Sequence, residues 1–427
     1  MSPSGSLFEE YQWRGMVFDA TPGLSELMAK EFMTGYIGFD PTASSLHIGS
    51  LLPIMCLARM QRFGHSPIAI AGGGTGMIGD PSGKTKERQL LNAEQVEENL
   101  AGIRSQLEPL LDFETKTNPA RIVNNLDWLG QLGLIEFLRD TGKHFTVNYM
   151  MAKESVKRRL ASDDGISYTE FTYMMLQAYD FLKLNETLGC NLQMGGSDQW
   201  GNILAGADLI RRVRGEKAHG LVFPLVTNAA GTKFGKTESG TVWLAPDRTS
   251  PYRFYQFWLN TDDADAINYL KYFTWLDRGQ IEELAVELEE RPGGRAAQRR
   301  LASEVTDMVH GPSALAGAEK ASSVLFGGAM EELSAKELMD VFEEAPSSEF
   351  ARDAFSGEGM GFLDLLADTG LAASKGEARR LVRSGGIYMN NNRVSDEGFA
   401  VRAEDCIDGV LLVLRKGKKN FRLVQLR

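Results

Sequence analysis

Two short segments place the strongest constraint on the fold of this chain. His47-Ile48-Gly49-Ser50 follows a strand-like run at 35–39 and the tight turn Asp40-Pro41-Thr42, and a helix is predicted after it. Much later in the chain, Lys233-Phe234-Gly235-Lys236-Thr237 forms a basic loop between glycines. An imidazole at a helix N-terminus and two lysines on a loop are suited to hold a triphosphate from two sides. Although either segment alone is also compatible with an ordinary helix start or a solvated hairpin, the pair predicts nucleotide chemistry.

The composition excludes several classes of protein. Of the 427 residues, 43% are hydrophobic and 24% are charged, which is typical of a globular protein with two or three domains. No apolar run approaches the roughly 20 residues that cross a bilayer, and residues 1–5 resemble neither a signal nor a transit peptide. Cys56, Cys190 and Cys406 are far apart and odd in number, so we expect a reducing cytoplasm, no disulfide framework and no metal site.

Charge is distributed unevenly along the chain. The net charge is −11, which by itself argues against bulk nucleic-acid binding. Residues 357–427, however, carry 12 Lys and Arg against 9 Asp and Glu, a net charge of +3, and the rest of the chain carries −14. A small basic tail on an acidic body predicts a separate module that binds RNA or phosphate.

The order of apolar and amphipathic segments predicts three parts. Up to about residue 223, strands at 35–39, 67–71 and 120–123 alternate with helices, among them 166–183 and 206–214, which is typical of a parallel α/β sheet. Residues 252–326 read as wholly helical, and 344–357 as a linker. In the last part, Ser374 and Glu377 predict a capped helix that carries Lys375, Arg379 and Arg383 on one face.

One glycine-rich segment matches two nucleotide-binding patterns poorly. Residues 74–79 fit G-x-G-x-x-G after a strand, but Asp80-Pro81 interrupts the chain where the helix of a dinucleotide fold begins. Residues 79–85 are one residue short of a P-loop. We therefore expect neither an NAD site nor a P-loop. Asp80 could be a simple turn residue before proline, but its place after a central strand favours ligand binding.

A polar stripe on a helix is the strongest local signal. Tyr173, Gln177 and Asp180 are spaced to share one face of a helix that is otherwise apolar. Because an unpaired buried carboxylate is costly, the stripe predicts a ligand, an internal hydrogen-bond network or a dimer contact. A zwitterionic amino acid that carries a hydroxyl group would suit it.

These residues resemble bacterial tyrosyl-tRNA synthetases, a class I aminoacyl-tRNA synthetase family. The resemblance covers essentially the whole chain and rests on six segments: 36–42, 47–50 (the HIGH-type motif), 79–84, 173–180, 195–200 and 233–237 (the KMSKS-type loop). The final unit is similar to a small RNA-binding module that grips the long arm of tRNA(Tyr) in this family. The resemblance implies a Rossmann-like parallel-sheet catalytic domain, an all-α domain and a small α+β RNA-binding domain.

The resemblance also implies a reaction. Tyrosine reacts with ATP, accompanied by Mg²⁺, to give tyrosyl-adenylate and pyrophosphate, and the tyrosyl group then passes to tRNA(Tyr). Positioning and charge at the α-phosphate would supply the catalysis. Rejection of phenylalanine by a site built for a hydroxyl group is a known property of the family. A tryptophan-specific relative and a synthetase-derived RNA-binding protein without aminoacylation remain the alternatives.

The roles that the resemblance implies fall into four groups. Residues expected to bind tyrosine are Tyr36, Asp80, Tyr173, Gln177 and Asp180. Residues expected to act on the phosphates are Thr42, His47, Lys84, Arg88, Lys233, Lys236 and Thr237. Residues expected to line the adenylate site are Gly38, Asp40, Gly49, Ser50, Asp198, Gln199 and Lys236. Residues expected to bind tRNA are Lys375, Arg379 and Arg383.

One residue departs from the family pattern, because Ser50 stands where the HIGH-type motif usually has a second histidine. A shorter serine predicts retained activity with weaker stabilisation of the ATP transition state. The family further implies a homodimer, with its contact in an insertion at about 127–160 that contains Phe137, Phe145, Tyr149 and Met150. The expected domains are 1–223, a linker at 224–250 that carries the lysine loop, 251–343, a second linker at 344–357, and 358–427.

Overall fold

The computed structural model describes residues 5–427 apart from 42, 83–92, 163–164, 228–230, 232–233, 238–239, 325–326, 329, 331–332, 344 and 418–419, and gives only the backbone of 93, 236 and 237. The chain divides into two compact units. One contains residues up to 248 together with 262–297, and the other contains 249–261 and 298–427. Within these described segments, no helix is long and apolar enough to cross a bilayer.

The helices follow one another along the whole chain. The first ten are α1 (Leu7–Trp13), α2 (Leu24–Lys30), α3 (Leu51–Arg62), α4 (Ala93–Leu107), α5 (Leu126–Leu129), α6 (Leu134–Glu136), α7 (Val147–Met151), α8 (Glu154–Leu160), α9 (Tyr168–Leu188) and α10 (Trp200–Arg214). The remaining helices are α11 (Pro251–Leu259), α12 (Asp263–Phe273), α13 (Arg278–Glu290), α14 (Ala296–His310), α15 (Pro312–Val324), α16 (Ala335–Val341), α17 (Phe362–Asp368) and α18 (Lys375–Ser384).

A six-stranded sheet organises the first unit. Its strands are β1 (Asp19–Ala20), β2 (Thr34–Phe39), β3 (Ser66–Ala71), β4 (Arg121–Asn124), β5 (Leu192–Gly196) and β6 (His219–Phe223). They are arranged in the order β1-β6-β5-β2-β3-β4, and all neighbouring pairs are parallel except β1 with β6. From β2 the chain adds β3 and β4 on one side, and it then adds β5 and β6 on the other side of β2. The strand order therefore reverses between β2 and β5. In such sheets ligands bind where the strand order reverses.

The pattern of burial explains why these segments form parallel strands. Every residue of β6 is buried, and so are all residues of β3 except Ser66, as expected for strands covered on both faces. Helix α3 packs against β2 and β3, while α10 packs against β5, β6 and α9. The mixed fold with a parallel sheet is confirmed. The strands predicted at 35–39, 67–71 and 120–123 correspond to β2, β3 and β4, and the helix predicted at 166–183 corresponds to α9.

Two buried arginines attach α12 to this unit. Arg59 Nη2 donates a hydrogen bond to the carbonyl oxygen of Thr274 at 2.6 Å, and Arg14 Nη2 donates one to that of Leu276 at 2.8 Å. Both arginines also bond to the carbonyl oxygen of Lys271. These carbonyl groups lie at and beyond the end of α12, where the helix itself supplies no partner. Burial lowers the pKa of Arg59 to about 9.

The region at 127–160 differs in detail from the sequence-based expectation. Phe137 and Met150 are buried in a core with residues of α9, so these two side chains do not form a surface. Exposed apolar side chains are supplied by their neighbours instead, namely Leu134, Ile135, Leu138, Val147, Tyr149 and Met151. Helical spacing explains why some residues are buried while their neighbours are exposed, because a short helix turns one face to the core and another to solvent.

The second unit contains a smaller sheet and, in full, the helices α11, α15, α16, α17 and α18. Its strands are β9 (Ser347–Phe350), β10 (Met360–Gly361), β11 (Ile387–Met389), β12 (Asn392–Arg393), β13 (Ala400–Val401), β14 (Leu411–Lys416) and β15 (Asn420–Leu426). Five of them form a sheet in the order β12-β11-β14-β15-β9, and β10 pairs with β13. The hairpin of β7 (Lys236–Thr237) and β8 (Gly240–Thr241) belongs to the first unit.

The segment 344–357 is not a linker, which corrects the prediction. Strand β9 pairs in parallel with the C-terminal β15, and Phe355 is fully buried in the core beside it. The polar composition of the segment is not typical of a strand, and its partner strand lies about 75 residues further along the chain. The pairing therefore could not be predicted from local sequence. The helices at 251–343 are divided between the two units, with α12 and α13 in the first. The other domain boundaries stay predictions.

Candidate active site

A cavity of about 610 Å³ opens where β2 and β5 meet. It lies at the carboxyl ends of these strands, where the order of the sheet reverses. Ten of the predicted site residues line it: Tyr36, Gly38, Asp40, Gly49, Asp80, Tyr173, Gln177, Asp180, Asp198 and Gln199. The residues that the sequence analysis assigned to the site therefore come from five separate segments of the chain and line one cavity.

The phenol of Tyr36 and the carboxylate of Asp180 are both buried in the lining of this cavity. Tyr36 is 2% exposed, and its hydroxyl group has no hydrogen-bond partner among the residues that the structure describes. Asp180 is 3% exposed. Burial raises the pKa of Asp180 to about 7, against the opposing effect of its hydrogen bonds. An unpartnered hydroxyl group and a partly protonated carboxylate can together bind a group that both donates and accepts a hydrogen bond.

Two side chains that the sequence analysis did not assign to the site hold Asp180 in place. The indole Nε1 of Trp128 donates to Asp180 Oδ1 at 2.7 Å, and Asn125 Nδ2 donates to Asp180 Oδ2 at 2.9 Å. Asn125 Oδ1 accepts a hydrogen bond from the backbone N–H of Gly74 at 2.7 Å, which fixes the orientation of the amide. The carboxylate is therefore offered to the cavity in one conformation.

A second group of polar residues lines the cavity beside this pair: Asp80, Tyr173, Gln177 and Gln199. We call this group the polar wall. Gln199 Nε2 donates to Asp80 Oδ2 at 2.7 Å, and Gln177 Nε2 donates to Gln199 Oε1 at 3.1 Å. Asp80 Oδ1 also accepts from the backbone N–H of Ser82 at 2.8 Å. Asp80 is thus both a turn residue and a cavity residue, so the two interpretations of its sequence context hold together. Burial raises the pKa of Tyr173, which shares this wall, well above its usual value.

The tautomer of His47 follows from the start of the helix. His47 is the N-cap of a 3₁₀ turn, Ile48–Ser50, that leads into α3. Its Nδ1 accepts a hydrogen bond from the backbone N–H of Gly49 at 3.0 Å, so the proton of the neutral ring is on Nε2. A Cβ atom on Gly49 would lie 2.8 Å from this ring, so a larger residue there would displace the imidazole. Neither His47 nor the half-buried Ser50 lines the cavity directly.

The two signature segments lie next to each other in space. The backbone N–H of Ile48 donates to the carbonyl oxygen of Val242 at 2.9 Å, and His47 forms a bridge with Trp243. Gly235 has φ +83°, and a Cβ atom there would lie 2.5 Å from Ile48 Cγ2. The lysine loop therefore approaches the histidine segment so closely that this position must be glycine.

An aromatic cluster fixes the middle of the lysine loop. The ring of Phe234 stacks on Phe273 of α12 with 5.3 Å between centres, and meets Tyr269 edge-on at 5.0 Å. Tyr269 Oη also donates to the carbonyl oxygen of Thr227 at 3.3 Å. Because the buried arginines hold α12, they indirectly hold this loop as well.

Several predicted residues cannot be placed. Thr42, Lys84, Arg88 and Lys233 lie outside the described residues, and the side chains of Lys236 and Thr237 are not described. In the second unit, the predicted RNA-binding residues lie on the exposed face of α18. There Lys375 pairs with Asp364, and Arg379 and Arg383 both pair with Glu397.

Gln193 was missed by the sequence analysis. It is 3% exposed, it lines the cavity, and within the described part of the chain its Oε1 has no hydrogen-bond partner. A glutamine between Leu192 and Met194 in a buried strand was the available signal. Asn125 directly follows β4. Since ligands bind at the carboxyl ends of parallel strands, the argument that assigned Asp80 to the site applies to Asn125 as well. Across the described ranges, no cluster of three His, Cys, Asp or Glu could hold a metal ion.

Comparisons with known proteins agree with the geometry. A family model described as tRNA synthetases class I (W and Y) matches residues 28–327, and one described as Tyrosine–tRNA ligase SYY-like C-terminal domain matches residues 337–424. The chain is 57% identical to a tyrosine–tRNA ligase of Roseiflexus castenholzii over 99% of each chain. It is 54% identical to that of Geobacillus stearothermophilus, over 98% of this chain and 99% of the other.

Solved structures extend the comparison. A C-terminally truncated mitochondrial tyrosyl-tRNA synthetase of Aspergillus nidulans is similar with a TM-score of 0.69 and 30% identity, over 75% of this chain and 94% of that one. A tryptophanyl-tRNA synthetase of Plasmodium falciparum, at 15% identity and a TM-score of 0.51 over 78% of this chain and 87% of that one, shares the fold alone. The family and the enzyme class predicted from the sequence are confirmed: the chain belongs to the class I tRNA synthetases, among the tyrosine–tRNA ligases.

Proposed function

We propose that this chain activates L-tyrosine with ATP and then transfers the tyrosyl group to the 3′ end of tRNA(Tyr). The observation that carries the proposal is the pair of Tyr36 and Asp180 in the buried part of the cavity. A phenolic hydroxyl group would donate to Asp180 and accept from the unpartnered hydroxyl group of Tyr36. A bare phenyl ring would leave the buried hydroxyl group of Tyr36 unpaired, which costs roughly 1–3 kcal/mol, and would offer Asp180 no donor.

The polar wall suits the other end of the amino acid. Asp80 supplies a negative charge, and Gln177 and Tyr173 supply oxygen atoms beside it, so an ammonium group would find acceptors in this wall. Gly38, Asp40, Gly49, Asp198 and Gln199 line the remainder of the cavity and would surround the adenylate. From the resemblance we assign Ser50, which follows Gly49, to the same part of the site.

The activation step needs no covalent enzyme intermediate. A carboxylate oxygen of tyrosine attacks the α-phosphorus of ATP, the bond to the β-phosphate oxygen breaks, and pyrophosphate leaves with that oxygen. His47 would donate from Nε2 to a phosphate oxygen, as its tautomer allows. From the resemblance we assign the remaining phosphate contacts to Thr42, Lys84, Arg88, Lys233, Lys236 and Thr237.

Charge at the α-phosphate grows in the transition state, so preorganised donors stabilise it more than the ground state. Mg²⁺ enters as part of the ATP substrate, since magnesium is usually held by substrate phosphates and one or two carboxylates. The carboxylates of Asp40 and Asp198 in the cavity are compatible with such a contact.

We further propose a homodimer that is formed through the exposed apolar side chains at 134–151. Leu134 and Ile135 are 69% and 74% exposed, and contiguous exposed apolar patches mark interaction sites. Ile135→Arg would place a charge in this contact. In sedimentation, the variant should shift from dimer to monomer, whereas the matched surface variant Val286→Arg, on α13, should not. A dimer that survives Ile135→Arg would contradict the location of the contact.

We assign tRNA binding to the C-terminal module, with Lys375, Arg379 and Arg383 on one exposed face of α18. We also keep the proposed division into a catalytic domain, a helical domain and this module. The three cysteines are free and buried, which is compatible with a reducing compartment, and we propose a cytoplasmic location.

The test is ATP–pyrophosphate exchange on the purified chain with tyrosine, phenylalanine or tryptophan. We expect exchange with tyrosine alone, and we expect Tyr36→Phe to raise the KM for tyrosine far more than that for phenylalanine. Exchange with tryptophan would support the tryptophan-specific alternative. Tight tRNA binding without any exchange would support the RNA-binding alternative and contradict the proposal.

A further inference from the structure

Lys153 does not line the cavity of the candidate active site, but it is linked to the polar wall through one intervening side chain. It is the N-cap residue of α8, and its Nζ donates a hydrogen bond to Oδ1 of Asn202 on α10. Within the described part of the chain it forms no ion pair, because the carboxylate of Glu170, which lines the same small cavity, is already paired with Arg159 at 2.7 Å. The amine therefore contacts the site through Asn202.

Asn202 connects this lysine to the residues of the polar wall. Asn202 Nδ2 donates to Gln177 Oε1 at 3.0 Å and to Gln199 Oε1 at 3.1 Å. Gln199 Nε2 in turn donates to Asp80 Oδ2 at 2.7 Å. Lys153 is thus the first donor in a chain of amides that ends at a carboxylate.

The direction of this chain depends on the lysine. An amide can turn by half a rotation and exchange its oxygen with its nitrogen, but a lysine ammonium group has donors only. Asn202 must therefore turn its oxygen toward Lys153 and its nitrogen toward the two glutamines. As a consequence, Gln177 turns its oxygen toward Asn202, and the second lone pair of that oxygen remains an acceptor for a ligand.

We propose that Lys153 is a positioning residue that orients, through Asn202, the amides which recognise the α-amino group of the substrate. This inference rests on the proposed function, in which Asp80, Tyr173 and Gln177 bind that group. The resemblance assigned no role to Lys153 or to Asn202.

The electrostatics support a role as an oriented donor rather than as a counter-charge. Burial lowers the pKa of Lys153 to about 7, and Asp80 opposes this effect. The other charged or titratable groups around it are Glu170 and Tyr173 from α9 and Arg159 from α8. Below this pKa the lysine is an ammonium group that can only donate, and it is linked to Asp80 through the amides of Asn202 and Gln199. The carboxylate of Asp80 therefore stays available for the ammonium group of a substrate.

The test compares ligands that carry an amine with one that does not. In Lys153→Met, ATP–pyrophosphate exchange should show a KM for tyrosine raised about tenfold, the loss expected for a hydrogen bond to a charged group, with kcat little changed. The inhibition constant of tyramine should rise similarly, while that of 3-(4-hydroxyphenyl)propanoate, which lacks the amine, should not change. Lys157→Met, an exposed position on the same helix, is the matched control and should match wild type throughout.

Three outcomes would overturn the inference: an unchanged KM for tyrosine, an equal loss for both inhibitors, or a defect confined to tRNA charging. The last outcome would assign Lys153 to RNA binding. If Lys153→Met did not fold, Lys153→Gln would replace it with the same selective loss expected, since glutamine can present either end to Asn202. Failure of the proposed function is distinguishable, because the wild-type chain itself would then show no tyrosine-dependent exchange.

Discussion

Replacing Trp128 with phenylalanine tests how the cavity holds its buried carboxylate. The indole Nε1 donates to Asp180 Oδ1 at 2.7 Å, and phenylalanine keeps an aromatic ring in place while removing this donor. Asn125 remains as a donor to the other carboxylate oxygen at 2.9 Å. The substitution therefore removes one of two hydrogen bonds that favour the ionised form of Asp180.

The expected effect can be worked out from the pKa of Asp180, which burial raises to about 7. A hydrogen bond to a charged group contributes roughly 1.5–3 kcal/mol. At about 1.36 kcal/mol for each pKa unit, losing it raises that pKa by about one to two units. At pH 7.5 the ionised fraction of Asp180 then falls from about three quarters of the molecules to about a quarter or less. Since the ionised carboxylate is the stronger acceptor for a phenol, the KM for tyrosine should rise about tenfold.

The assay is ATP–pyrophosphate exchange from pH 6 to pH 9.5. In Trp128→Phe, the pH at which the KM for tyrosine changes should move upward, and the curves should converge near the alkaline end. Trp13→Phe, at a tryptophan that does not line the cavity, should follow the wild-type curve. A KM unchanged at every pH would refute the reasoning, and a constant rise at every pH would show lost packing rather than a changed proton affinity.

Three further predictions concern other parts of the molecule. Because the pKa of Asp180 is about 7 when folded and about 3.9 when unfolded, its contribution to stability falls as pH rises from about 4 to about 7. Between pH 5 and pH 8, ionisation of Asp180 should lower the free energy of unfolding of the wild-type protein by about 2–3 kcal/mol. In Asp180→Asn this part of the pH dependence should be absent when both proteins are titrated with urea, and an identical loss in the variant would contradict the prediction. Ser50→His should increase the rate of adenylate formation up to about tenfold by adding a donor near the phosphates, and a decrease would show that serine is no handicap. Glu397→Gln should tighten RNA binding at low salt by up to about fivefold, since it frees two arginines of α18, and weaker binding would mean that the glutamate positions them.

Local patterns were sufficient for the parallel sheet and for most of the cavity. A local pattern of polar and apolar residues marks each of three elements: the strand ending at Phe39, the strand ending at Ala71, and α9 with its polar stripe. Since the carboxyl ends of parallel strands meet at one edge, these segments place Tyr36, Asp80 and Asp180 together without any knowledge of contacts.

Contacts between distant segments were not predictable in the same way. The donors to Asp180 come from a short helix more than 50 residues earlier, and no periodicity links the two. Strand β9 was read as a linker because its partner β15 lies at the end of the chain. Lys153 was overlooked because a lysine in a polar helix start gives no sign that its amine is buried.

The most direct test of the account is a crystal structure with L-tyrosine bound. The account predicts that the phenolic oxygen lies within hydrogen-bond distance of both Tyr36 Oη and the carboxylate of Asp180, with the ammonium group against Asp80 and Gln177. A tyrosine whose phenol lies elsewhere, leaving Tyr36 without a partner, would contradict the central claim that this buried pair recognises the substrate.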